Sequence, residues 1–208
     1  MRMVLGGSAA LVASLLVVPA WGQEATVVAE VLKALRDGGH VIVVRHGATH
    51  ADQADTDPLH LDNVAKQRQL NDKGRADART VGDVFKAAGV PIGKCYSSRF
   101  YRAVETARLI GGKEPEATAD VSEGGLVVTP NENNRRAQAL RRLIGTMPDA
   151  GTNTLIVSHK PNILDGLGRD WFEIKEGEAS IFKPDGNGGY KLIVRVLAND
   201  WSKLAAAN

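Results

Sequence analysis

The sequence predicts an α/β domain with a largely parallel sheet covered on both faces, and three observations point that way. Short apolar runs of strand character alternate with stretches of helical period. Glycine, proline and asparagine stand where such elements should begin and end. Residues able to carry chemistry follow directly after the strand-like runs, at the carboxyl edge where α/β proteins build their sites.

The chain has 208 residues and opens with Arg2, an uncharged apolar stretch from Met3 to Val18, and then Pro19-Ala20-Trp21-Gly22. Small residues at Ala20 and Gly22 occupy the positions a signal peptidase reads. Residues 1–22 are therefore expected to be a signal peptide and 23–208 the mature domain, periplasmic or secreted. An uncleaved membrane anchor is the alternative, since the run is close to the lower limit for a bilayer span. No cysteine follows the run, so a lipid-modified N-terminus is not indicated.

From Glu24 to Arg36, Val27, Val28, Val31, Leu32 and Leu35 recur at helical spacing, and Gly38-Gly39 stops the run. A strand follows, Val41-Ile42-Val43-Val44, ending abruptly in Arg45-His46-Gly47. The polar stretch to about Gln69 has no steady period and is long for a connection, so it should either shape a site or be disordered. Asn71 can cap a helix from about Asp72 to Ala88, closed by Gly89. A second short strand lies within Pro91 to Ser98, a helix runs from about Phe100 to Ile110, and Ala117 to Val121 is a third strand candidate. A further helix spans Glu132 to Ile144. Thr154 to Ser158 is the next strand, with Pro161 where a first helical turn tolerates proline. Ala179 to Lys183 and Tyr190 to Leu197 flank a Gly-rich turn and predict a hairpin. Ser202 to Asn208 should fray. No repeat or second domain is apparent.

With 43% hydrophobic residues the chain can bury a sizeable core. Its net charge of +2, from 26 basic and 24 acidic residues, points to neither nucleic acid nor a membrane surface as partner. The single cysteine, Cys95, cannot form an internal disulfide and reads as a small buried residue.

Three strand ends present the same chemistry: Arg45 and His46 after the first, Arg102 shortly after the second, and His159 directly after Val157-Ser158. In a parallel sheet these ends share one edge, so two arginines and two histidines can surround one anion. Arginine forks suit the oxygens of a phosphoryl group, and a neutral imidazole is a competent nucleophile.

The blocks VVRHGAT, LNDKGRADA, SSRFYRAVETA and LIVSHKPNI, in that order within the span Val41 to Ile163, resemble the histidine phosphatase superfamily in its phosphoglycerate mutase-like branch. The resemblance implies a three-layer α/β/α sandwich with a mostly parallel central sheet, phosphoglycerate mutase-like, and no cofactor or metal requirement. It implies that His46 becomes phosphorylated, that Arg45 and Arg102 bind phosphate, and that His159 is the second pocket histidine. Arg99 competes with Arg102, but only Arg102 puts Ala103 to Ala107 in the family frame; Arg99 would then be a rim residue. Relatives acting on small esters place an acid after the third strand. Glu123, beside Gly124 and Gly125, is favoured over Asp120 as proton donor, with two solvated loop charges as the alternative.

Two features depart from the family pattern or leave it open. Lys160-Pro161 stands where relatives have glycine and could touch a second anionic group or simply face solvent. The basic helix carrying Arg135, Arg136, Arg141 and Arg142 could be a solvated face or contact a polyanionic substrate. His50 lies four residues from His46 without a zinc-binding frame. His40 should sit at the start of a strand, and His60, Asp52 and Gln67 could line the pocket mouth. The resemblance and the expected export imply a phosphomonoesterase working through phosphohistidine, on a small phosphorylated substrate or a phosphorylated glycan. No stable membrane association is expected after signal cleavage. A noncatalytic module binding phosphorylated ligands in the same pocket is the alternative.

Overall fold

A computed structural model of the protein describes residues 30–124 and 128–205. The expected signal peptide, the first part of the opening helix, and Gly125 lie outside the described residues. The opening helix, α1, is described over residues 30–36. Val41–Arg45 forms β1, whose four apolar residues are all buried. Their alternation divides them between two cores: Ile42 and Val44 pack with Leu35, Val81, Phe85 and Trp201, while Val41 and Val43 pack with Leu140, Ile144 and Ile163. A strand covered on both faces reads as an unbroken apolar run for this reason.

The Asn71 side chain accepts a hydrogen bond from the Gly74 amide (2.8 Å) and starts α2, Asp72–Ala88. Gly89 ends it in the left-handed conformation, φ 70°. Then come β2 (Ile92–Ser98), α3 (Tyr101–Gly111) and β3 (Glu116–Thr118). The third strand stops earlier than expected because the Thr118 hydroxyl accepts from the Asp120 amide and turns the chain into a 3-10 turn, Ala119–Val121. Thr129 caps α4, Pro130–Gly145, so this helix begins two residues before the expected start. β4 (Asn153–Ser158) and α5 (Lys160–Leu167) follow, then β5 (Ala179–Pro184) and β6 (Tyr190–Val196). The hairpin turn is closed by the Asp185 carboxylate, which accepts from the amides of Asn187 and Gly189.

The sheet order is β3-β2-β4-β1-β5-β6. The first four strands are mutually parallel, and β5 and β6 extend the sheet in antiparallel fashion. Helices α1, α2, α3 and the last helix, α6 (Ala198–Ala205), cover one face, α4 and α5 the other, giving the three-layer α/β/α architecture. Cys95 is buried in β2, where burial pushes its thiol up to about 11.

The expected fraying of Ser202 to Asn208 is corrected over its described part. Ala198–Ala205 is a helix, α6, because the fully buried Trp201 docks edge-on against Phe85 of α2, ring centroids 5.2 Å apart. No helix among the described residues is long and apolar enough to cross a membrane.

Candidate active site

The four parallel strands end along one edge, and each delivers a polar group to the same place. In the register, Arg45 at the end of β1 stands beside Ser158 at the end of β4, and Val157 of β4 beside Ser97 of β2. His46 and His159, one residue beyond their strands, therefore meet: their ring centroids are 5.1 Å apart and both side chains are buried. Arg102 arrives from the first turn of α3, and Glu123 from the loop after β3.

The turn carrying His46 is held from all sides. The His46 amide donates to the Ser158 carbonyl (3.0 Å), and the Gly47 amide donates to the Thr106 hydroxyl (3.0 Å), which itself donates to the Arg102 carbonyl (2.7 Å). Across from it, a β-carbon at Gly74 would collide with the Ala48 carbonyl, so only glycine lets α2 pack this closely on the turn.

The ring of His46 is oriented by its own backbone. Nδ1–H donates to the Gly47 carbonyl at 2.8 Å, which leaves Nε2 with the lone pair. Burial and then the Arg102 charge lower its pKa to about 3, so the imidazole is neutral at pH 7. For His159 a hydroxyl chain assigns the tautomer. Ser122 donates to the Thr118 carbonyl and Ser98 to Ser122, so His159 Nε2–H donates to Ser98 Oγ (2.7 Å). Burial, with His46 and Arg102 adding to it, also lowers the pKa of His159 well below the ordinary histidine value.

Arg45 donates to the Ile174 carbonyl (2.8 Å) and reaches Glu176 at 3.4 Å. Arg102 is fully buried beneath the Phe100 ring, 4.4 Å from its centroid, and donates to Asp55 (2.9 Å) and to Glu123. Glu123 also lies 3.4 Å from His159 Nδ1. Buried nitrogens without a protein partner remain on three of these groups: Nε of Arg45, Nε of Arg102 and Nδ1 of His159. The two arginine Nε–H groups are donors, costly to leave unpaired unless something anionic meets them, whereas His159 Nδ1, with the proton on Nε2, is an acceptor. The arrangement can therefore hold a phosphoryl group against a nucleophilic imidazole nitrogen, with a carboxyl beside it to move a proton.

All five residues singled out from the sequence thus converge: Arg45, His46, Arg102, Glu123 and His159. Asp120 does not join them; it pairs outward with Arg135 (2.6 Å). Arg99 points to the rim and Lys160 lies over the Phe172 ring, 4.6 Å from its centroid. On the basic helix Arg142 is exposed and Arg135 is paired with Asp120 and Glu132, while the other two arginines bind backbone. Arg136 donates to the Ser122 and Glu123 carbonyls, and Arg141 donates to the Asp165 and Gly166 carbonyls. Gln67 is a bracket rather than a pocket residue, donating to the Leu61 carbonyl and accepting from the Tyr101 amide. His60 pairs with Asp57 on the surface, Asp52 is exposed, and His40 bonds the Gly38 carbonyl at the start of β1.

Two site residues escaped sequence reasoning, Asp55 and Arg68, both in the polar stretch after β1. Asp55 accepts from Arg102 and from the Arg68 amide. The Arg68 charge helps to lower the pKa of His46, His159 and Arg45, so it acts on the pocket from nearby. The missing period in this stretch was the available signal that it serves a site.

Fold and pocket together define an α/β/α domain with a cationic pocket sized for a phosphoryl group. The sequence profile of the histidine phosphatase superfamily (branch 1) matches residues 41–125 of the chain. Solved structures share the fold. The protein histidine phosphatase SixA complexed with tungstate is 19% identical with a TM-score of 0.54, over 77% of this chain and 98% of that one. Phosphoserine phosphatase from Entamoeba histolytica in complex with 3-phosphoglyceric acid is 19% identical with a TM-score of 0.54, over 78% and 98%. A mycobacterial glucosyl-3-phosphoglycerate phosphatase with VO3 is 15% identical with a TM-score of 0.51, over 76% and 98%. No curated protein matches the chain.

Proposed function

We propose that the protein is an exported phosphomonoesterase that hydrolyses phosphate esters through a phosphohistidine at His46, without a metal, on sugar phosphates or cell-envelope glycans. The observation that carries this reading is the meeting of a neutral His46, its Nε2 unprotonated, with buried unpaired N–H groups on Arg45 and Arg102. Complexes of fold relatives with tungstate, VO3 and 3-phosphoglyceric acid support it. Export rests on the apolar N-terminal stretch and its small-residue cleavage pattern.

In the first step the Nε2 lone pair attacks phosphorus and the ester P–O bond breaks. The incoming ester, bound as its monoanion, takes over Arg102 and passes its proton to Glu123, from which the departing oxygen takes it as the alcohol leaves. In the second step water attacks phosphorus, returns a proton to Glu123, and the P–N bond breaks with its electron pair going back to Nε2. Charge on the equatorial oxygens is met by Arg45 and Arg102.

Brief exposure to a labelled phosphoester followed by denaturation tests this. Covalent label that is stable in base, labile in acid and absent from His46→Ala supports the enzyme. Reversible binding with no label and no phosphate release would identify a binding module instead.

A further inference from the structure

Beside the phosphate pocket lies a cleft of about 220 Å³ that the mechanism does not use. Pro58, Leu59, Leu61 and Val128 make one side of it apolar, and Leu59 is 75% exposed. Phe100 and Glu123 belong to both spaces. The Phe100 ring carries Arg102 on its face and meets the His159 ring edge-on at 5.3 Å, so it forms the wall between pocket and cleft. Glu123 stands at the passage between them, paired with Arg102 inside. A leaving oxygen placed against Glu123 therefore directs the rest of the alcohol into this cleft.

The cleft has two cations, and they differ. Arg136 is committed to Glu132 and to the Ser122 and Glu123 carbonyls. Arg99 is exposed, its backbone amide is tied to Ser122 Oγ (2.9 Å), and its guanidinium has no partner among the described residues. Its backbone is anchored while its charge is available.

We propose that the cleft is the leaving-group subsite, and that it takes an ester whose alcohol part presents an apolar face and a second anionic group that pairs with Arg99. This rests on the phosphatase reading for the orientation of the ester, and it narrows the substrate class within that reading. A simple polar alcohol such as glycerol leaves Leu59, Leu61 and Val128 uncovered and Arg99 unpaired. An amphiphilic phosphoester with a further phosphate or carboxylate satisfies both.

Binding to the His46→Ala protein tests the subsite without turnover, by calorimetry with inorganic phosphate, glycerol 1-phosphate, phenyl phosphate and 4-(2-carboxyethyl)phenyl phosphate. The expected order of affinity is carboxyethylphenyl, then phenyl, then glycerol phosphate. Adding Arg99→Ala should lower the affinity ratio of the carboxyethylphenyl to the phenyl ester by about fivefold, the scale of a partly exposed ion pair. Leu59→Ser should lower the ratio of phenyl to glycerol phosphate. The proposal is overturned if glycerol phosphate binds as well as the carboxyethylphenyl ester, or if Arg99→Ala leaves the ratio unmoved. Failure of the phosphatase reading shows separately, as absence of label and phosphate release in the wild-type protein while these ratios still change.

Discussion

Arg102 and Glu123 form an ion pair inside the pocket, with the guanidinium fully buried and the carboxylate reaching His159 as well. The second guanidinium terminus is bound by Asp55. The ligand-free pocket thus balances its strongest cation with two carboxylates, and an incoming phosphate must share Arg102 with them.

If Glu123 protonates the departing oxygen, Glu123→Gln should slow esters of alkyl alcohols by about a hundredfold while p-nitrophenyl phosphate, whose leaving group needs no proton, loses much less. Steady-state kcat/KM for the two ester types decides it. Equal losses on both would remove Glu123 as the acid.

Arg45→Ala and Arg102→Ala should each lower turnover by about two orders of magnitude, the scale of a lost transition-state donor. Arg102→Ala also leaves Asp55 and Glu123 without their cation, a change of about 3–5 kcal/mol for a broken buried pair. Arg102→Lys keeps a charge there and separates the chemical loss from the folding loss. Wild-type rates in either alanine variant contradict the assignment.

Arg136 holds the loop that carries Glu123 by two carbonyls rather than by its side chain. Arg136→Ala should therefore reproduce the leaving-group dependence of Glu123→Gln in weaker form, with Arg136→Lys restoring part of it. A uniform loss over all esters would point to simple unfolding of the loop.

The His46 pKa of about 3 places the acid limb of kcat/KM near pH 3, far below the ordinary histidine range. The same depression links folding to pH. An unfolded His46 takes up its proton as the pH falls through about 6.5, whereas the folded one resists until about 3. Its contribution to stability is complete above pH 6.5 and is lost on acidification, by at most about 1.4 kcal/mol per pH unit per group, with His159 acting in the same direction. Denaturant melts from pH 7 to 4 should show the slope, and His46→Gln should reduce it.

Trp201→Ala should cost about 3–5 kcal/mol, the usual range for emptying a buried aromatic site. Thermal melting measures it; a shift of less than a degree would mean that α6 does not hold α2 as described.

Much of this molecule can be read from residues alone, for identifiable reasons. β1 and β4 are central strands, so their apolar runs are unbroken, and Asn71 and Gly89 are local signals for both ends of α2. The pocket groups were legible because each stands at a fixed distance from a strand end. What stayed hidden depends on distant contacts. α6 is anchored by one tryptophan against a helix more than a hundred residues earlier, within a tail of mostly small or polar residues. Asp55 and Arg68 sit in a stretch with no period, placed by its bridge between Thr49 and Leu70. The direction of Arg136, inward to two carbonyls, cannot be told from that of its neighbour Arg135, which pairs with Asp120.

The missing methyl at residue 74 also makes a mechanical link. Because α2 presses bare backbone against the loop next to His46, while its far end is braced by Trp201, any tilt of that helix is transmitted to the reactive nitrogen undamped by side chains. Substitutions made far below the catalytic edge to improve heat tolerance should accordingly be judged by turnover as well as by melting point.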